Sequence, residues 1–153
     1  MENKNFCEEL NILLSRTYKT INELEEKKVK KNSHLNLSIS ELHLMEAVSG
    51  YTGEGGATVT DLANEQNYTL SAATIAINGL IKKGYVSKLQ DSEDKRSVRI
   101  VLTQQGEKIN QVHKYIHKKL VRDLAKEFDE EEMEILIRGL TKVKSFFENM
   151  NNR

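Results

Sequence analysis

The apolar residues of this chain change their period once, and that change limits the fold more than any other feature. Outside residues 85–102 they recur at three-four spacing, the mark of helices that pack by one face. Phe6, Leu10, Leu13, Leu14, Ile21 and Leu24, with Thr17 in the gap, share a face of a helix running to about Val29. Ile109, Val112, Ile116, Leu120 and Leu124 do the same in a fifth helix, and Met133, Leu136, Ile137, Leu140, Val143 and Phe147 in a last one capped by Asp129. Between them the period falls to two. Residues 85–90 are β-prone, residues 91–95 are all polar or charged, and Val98, Ile100 and Leu102 alternate with Ser97, Arg99 and Val101. The pattern predicts a β-hairpin with a charged tip.

Local signals divide the segment before the hairpin. Residues 27–37 are basic and polar and read as a connection. Ser38 and Glu41 form a capping-box pattern that opens a second helix through Leu42, Met45 and Val48, ended by Gly50 and the glycines at 53–56. Thr58 to Asp61 starts a short third helix, and a fourth runs from about Leu70 to Lys83 before Gly84 stops it. Two short helices joined by a tight turn are a helix-turn-helix pattern. The predicted order is α-α-α-α-β-β-α-α in a single domain, residues 1–153, with a mainly α fold and a small hairpin wing. Residues 38–106 form a winged helix core, flanked by terminal helices at 1–37 and 107–153 that serve dimerisation.

Composition removes several classes of function. The 153 residues include no proline and no tryptophan, which argues against an all-β fold, and 38% hydrophobic content argues against disorder. No apolar run approaches a membrane span and the first residues carry no hydrophobic signal segment, so a cytoplasmic location is expected. The single cysteine, Cys7, excludes a disulfide framework and a multi-cysteine zinc site. There is no Gly-rich phosphate loop, no HExxH and no nucleophile elbow, so no enzyme and no cofactor is expected. His113 and His117 stand four residues apart, but no carboxylate or thiol accompanies them at ligand spacing, and no metal site is assigned.

Net charge is zero, yet its distribution is uneven. Residues 1–79 carry 7 basic and 11 acidic side chains, residues 80–122 carry 11 and 4, and residues 123–153 carry 5 and 8, which gives −4, +7 and −3. A basic middle third next to a helix-turn-helix fits a polyanionic partner, although any single charged run is more commonly a solvated face.

The order of elements resembles the MarR family of bacterial transcription regulators. Its wing signature is matched by Asp94-Lys95-Arg96 followed by a strand and Leu102-Thr103-Gln104-Gln105-Gly106. The fourth helix is similar too, through Ser71, Thr74, Ile77, Leu80, Lys83 and Gly84. Within the family, Ile39-Ser40-Glu41-Leu42-His43, the segment His113 to Lys118 and Asp129-Glu130-Glu131-Glu132-Met133 resemble the FabT-type repressors of fatty-acid synthesis. The resemblance implies a homodimeric repressor on double-stranded DNA with acyl-acyl carrier protein as corepressor.

The residues can be assigned on that basis. A recognition helix needs small or hydrogen-bonding side chains outward, and Thr69, Ser71, Ala72, Thr74, Ile75 and Asn78 supply them, with Ala73, Ile77 and Leu80 opposite at core spacing. Ile75 stands where many members have a basic residue, and it suits a thymine methyl, so an A·T-rich pseudo-palindrome is expected. In the wing, Arg96 suits a narrow minor groove, with Asp94 holding it. Lys82 and Lys95, and more weakly Lys88 and Arg99, are expected at phosphates. Lys114, Lys118, Lys119 and Arg122 form a basic stripe for an acidic carrier protein, with Lys27, Lys28, Lys30 and Lys31 as the other docking candidate. Two alternatives remain within the family: a thiol sensor working through Cys7, or a sensor of small phenolic ligands.

Overall fold

The computed structural model describes residues 2–31, 36–90 and 98–151. Eight regular elements follow the order expected from sequence, with one 3-10 turn in addition. They are α1 (Glu2–Lys31), α2 (Ile39–Gly50), the 3-10 turn Thr52–Glu54, α3 (Val59–Glu65), α4 (Leu70–Lys82), β1 (Val86–Gln90), β2 (Val98–Leu102), α5 (Gln104–Ala125) and α6 (Glu130–Asn151). The chain forms two compact units, residues 1–110 and 111–153. No helix among the described residues is long and apolar enough to cross a membrane.

Helix starts obey local chemistry. Ser38 Oγ accepts from Glu41 N at 3.2 Å and Glu41 Oε2 accepts from Ser38 N at 2.8 Å, so the two side chains satisfy each other's orphan N–H groups. Thr58 and Asp61 repeat the device at α3, and Asp129 and Glu132 at α6. The turn between α3 and α4 closes through Tyr68 N donating to Ala63 O at 2.8 Å. Asn67 sits there at φ 53°, a left-handed conformation that asparagine tolerates better than most residues.

The core of the first unit is built around α2. Leu42, Met45 and Val48 are buried as their spacing predicts, but Leu44 and Ala47, off that stripe, are buried as well. The helix packs against α1, α3, α4 and β2, so its buried residues spread over more than one stripe. Leu62, Ile77, Leu80, Val86 and Ile100 complete the cluster from the surrounding elements.

Strand β1 pairs antiparallel with β2, Val86 opposite Leu102 and Gln90 opposite Val98. The other side of β2 is held by a single bridge: Ala57 N donates to Ile100 O at 3.0 Å and Ile100 N to Ala57 O at 2.7 Å. Three further bonds secure the hairpin's base. Thr103 N donates to Tyr85 O, and Thr103 Oγ1 donates to Gly84 O at 2.7 Å while accepting from Gly106 N at 3.1 Å. Gly84 has φ 80°, where an L side chain is strained. At Gly106 the constraint is space, because a Cβ there would lie 2.0 Å from the Tyr85 carbonyl oxygen. The Leu-Thr-x-x-Gly sequence is therefore the joint between hairpin and α5.

Candidate nucleic-acid interface

Helix α4 is positioned by one polar and several apolar anchors. Thr69 is its N-cap, its hydroxyl accepting from Ala72 N at 3.1 Å. Ala73, Ile77 and Leu80 are buried against the core. At the far end Lys83 Nζ lies 2.8 Å from both carboxylate oxygens of Glu41, tying the C-terminus of α4 to the start of α2. Burial of Glu41 raises its pKa. The Lys83 hydrogen bond, the Ser38 backbone bond and the Lys83 charge outweigh that and hold it below the ordinary carboxylate range.

The opposite face of α4 is largely exposed. Ser71, Ala72, Thr74 and Ile75 are exposed, Asn78 is half-buried, and Lys82 is exposed in the last turn. Ile75 is 73% exposed, unusual for an isoleucine on a well-packed helix. Thr69 is exposed but already accepts from Ala72 N. The Thr74 hydroxyl donates to Leu70 O at 2.7 Å, which leaves it lone pairs to offer and no proton. Leu70, 57% exposed at the first turn, belongs to this face too and was missed. Its position four residues before Thr74 was the signal that could have found it.

In the wing, Asp94, Lys95 and Arg96 lie outside the described residues, as do the other residues at 91–97. Lys88 is exposed on β1. Arg99 is placed otherwise than a free phosphate contact: its guanidinium donates to Gly56 O at 3.3 Å and is half-buried. Its charge also adds to the Thr58 hydroxyl and N–H bonds that hold the Asp61 carboxyl below its usual range. Arg99 thus braces the loop before α3 against β2.

In the second unit Lys118, Lys119 and Arg122 are exposed on α5 and Lys114 is half-buried. Cys7 is exposed on α1. Side chains of Lys28, Lys30 and Lys31 are not described; Lys27 is exposed.

A capped three-helix core that presents α4 outward, followed by a hairpin, defines a winged helix-turn-helix protein. Residues 52–98 match the family profile described as the MarR family. The uncharacterized HTH-type transcriptional regulator YhjH of Bacillus subtilis (strain 168) is 29% identical over 107 residues, 70% of this chain and 59% of YhjH. YsmB, of the same description and strain, is 30% identical over 90 residues, 59% of this chain and 62% of YsmB. The chain thus spans about three fifths of the length of these two relatives. Among solved structures, Streptococcus pneumoniae FabT in complex with DNA superposes with a TM-score of 0.85 at 26% identity, covering 94% of this chain and 98% of FabT. The S. aureus MepR–DNA complex shares the fold, with a TM-score of 0.71 at 22% identity over 87% of this chain and 95% of MepR. The match to the MarR family thus covers residues 52–98 of this chain, and YhjH and YsmB are described as HTH-type transcriptional regulators.

Proposed function

We propose that the chain is a homodimeric, sequence-specific DNA-binding transcription regulator that represses fatty-acid synthesis genes, with acyl-acyl carrier protein as corepressor. The observation that carries the DNA-binding part is the outer face of α4. Ser71, Ala72, Thr74 and Ile75 stand exposed with no acidic side chain among them, on a helix fixed at both ends by Thr69 and by the Lys83–Glu41 pair. Such a face lets a backbone approach base edges in a major groove. The basic balance of residues 80–122 supplies attraction to phosphates.

A dimer is supported by the apolar residues that each long helix leaves in water in a single copy. On α1 these include Phe6, Leu13 and Tyr18, on α5 Val121 and Leu124, and on α6 Ile137, Leu140 and Phe147. The fatty-acid part rests on the FabT-type resemblance of residues 39–43, 113–118 and 129–133. It is also supported by the exposed basic side chains Lys118, Lys119 and Arg122, with Lys114 beside them, that an acidic carrier would meet.

Gel shifts on pseudo-palindromic, A·T-rich duplexes test the first part, with half-sites about 10 bp apart and affinity falling steeply with salt. Titrating acyl-loaded carrier onto the repressor–DNA complex tests the second. Tighter binding with acyl-loaded carrier but not with unloaded carrier, abolished by changing Lys118 and Arg122 to Glu, supports the corepressor reading. If the carrier has no effect and peroxide releases DNA from the wild type but not from Cys7→Ser, the thiol-sensor reading replaces it. Release by a small phenolic acid instead would favour the remaining alternative.

A further inference from the structure

The side chains that α4 turns outward can be sorted by how each could tell one base pair from another. Arg or Lys recognises guanine through two hydrogen bonds, Asn or Gln does the same for adenine, and Asp or Glu accepts from cytosine. Between Thr69 and Ile81 there is no Arg, Lys, Gln, Asp or Glu, so Asn78 alone has a forked polar group there, and it is half-buried. The Thr74 hydroxyl donates its proton to Leu70 O, and Thr69 Oγ1 is engaged by Ala72 N. A hydrogen-bond code on this face is therefore sparse.

What the face does present is aliphatic. Ile75 is 73% exposed and Leu70 is 57% exposed. Ser71, Ala72, Asn78 and Gly79 lie one turn to either side of Ile75, and all four are smaller, so Ile75 stands above the centre of the outward face. Leu70 opens the helix, at the end that carries base contacts in a helix-turn-helix. Five positions separate the two, a rotation of about 140° and a rise of about 7.5 Å, so they meet different bases. An aliphatic side chain in a major groove has one favourable partner among the base edges, the C5-methyl group of thymine. Against the other edges it leaves donors and acceptors buried and unpaired.

We propose that Ile75 and Leu70 are specificity-determining residues, each packing on a thymine C5-methyl group at a different position of the half-site, so that α4 reads sequence chiefly by methyl contacts. The assignment rests on α4 being the DNA-reading helix, as proposed above.

A duplex bound by the wild-type protein is first selected from random sequences. Each of its thymines is then replaced by deoxyuridine, which removes the methyl group and keeps every hydrogen-bonding group. At two positions of each half-site this should weaken binding, about fourfold for one buried methyl and about fifteenfold when both halves of the palindrome are changed together. In Ile75→Ala the penalty at one of these positions should vanish, and in Leu70→Ala the penalty at the other. Ile75→Val, which keeps a branched methyl surface, should retain most of the penalty at the Ile75 position. Both side chains stand in water, so the urea midpoints of the variants should match that of the wild type. Specific binding indifferent to uracil at every thymine, or uracil penalties that persist unchanged in both alanine variants, would overturn the proposal and leave the DNA-binding reading intact. If no duplex is selected, that reading falls and the methyl assignment falls with it.

Discussion

Replacing Gly106 by alanine tests the packing at the joint between hairpin and α5. The added methyl carbon would lie 2.0 Å from Tyr85 O, 3.0 Å from Tyr85 C and 3.4 Å from a Leu102 methyl. The first distance is more than an ångström short of a contact that any methyl group keeps. The obstacle is backbone in a strand-leading segment, so rotating a side chain cannot relieve it. The start of α5 must retreat, and as it does so the Thr103 N to Tyr85 O bond and the Gly106 N to Thr103 Oγ1 bond, at 3.0 and 3.1 Å, are stretched or lost. Overpacking costs about 1–3 kcal/mol, and the two bonds add about 1 kcal/mol each. The higher helix propensity of alanine returns up to about 1 kcal/mol. The net loss should therefore be about 2–4 kcal/mol. Urea unfolding at fixed protein concentration measures it, with the denaturant slope unchanged if the native fold is kept. An alanine variant as stable as the wild type would mean that the helix does not approach Tyr85 so closely, and the reading of the Leu-Thr-x-x-Gly sequence as a steric joint would fail.

Gly139 provides the contrast, because nothing lies within 4 Å of a Cβ added there in the interior of α6. Gly139→Ala should stabilise by about 0.5–1 kcal/mol, and a loss in the same unfolding assay would reveal close approach by a second copy. Glu41→Gln keeps the helix cap but removes the charge facing Lys83, and should cost about 1 kcal/mol at neutral pH. Because the folded-state pKa of Glu41 lies below its ordinary value of 4.5, this contribution is full above that value and disappears as pH falls through the lowered one. Acid titration of stability should therefore bring wild type and variant together; a gap that persists in strong acid would assign the effect to shape instead of charge. Arg96→Ala should weaken operator binding and lower the salt slope by about 1, and an unchanged affinity would mean that the wing does not engage DNA.

What the sequence made legible was mostly what lies within four residues. The caps at Ser38, Thr58 and Asp129 each act over three positions, and a reader of the chain finds them for that reason. The outward face of α4 was legible because its apolar and polar residues separate at helical spacing. Contacts between distant segments were not. Lys83 and Glu41 are 42 residues apart, and Ala57 meets Ile100 through backbone atoms that carry no sequence signal. That the Arg99 guanidinium turns toward Gly56 O could not be read from charge alone. Leu44 and Ala47 were left off the core because a periodic stripe assumes a helix that packs by one face, and α2 packs by more than one.

The bridge between Ala57 and Ile100 has a mechanical consequence. Ala57 uses both its N–H and its C=O on β2, immediately before α3 begins, and Arg99 adds a second tie to the neighbouring Gly56. At the other end of the hairpin, Thr103 clamps the residues that follow α4. Helix-turn-helix and hairpin base are thus bolted at two separate points, which takes away both the hinge and the slide that one fastening would permit. The distance between α4 and the base of the hairpin is a fixed dimension of the chain, like the jaw of a spanner. Under the proposed function, a signal that alters the grip on DNA has to move the whole tool.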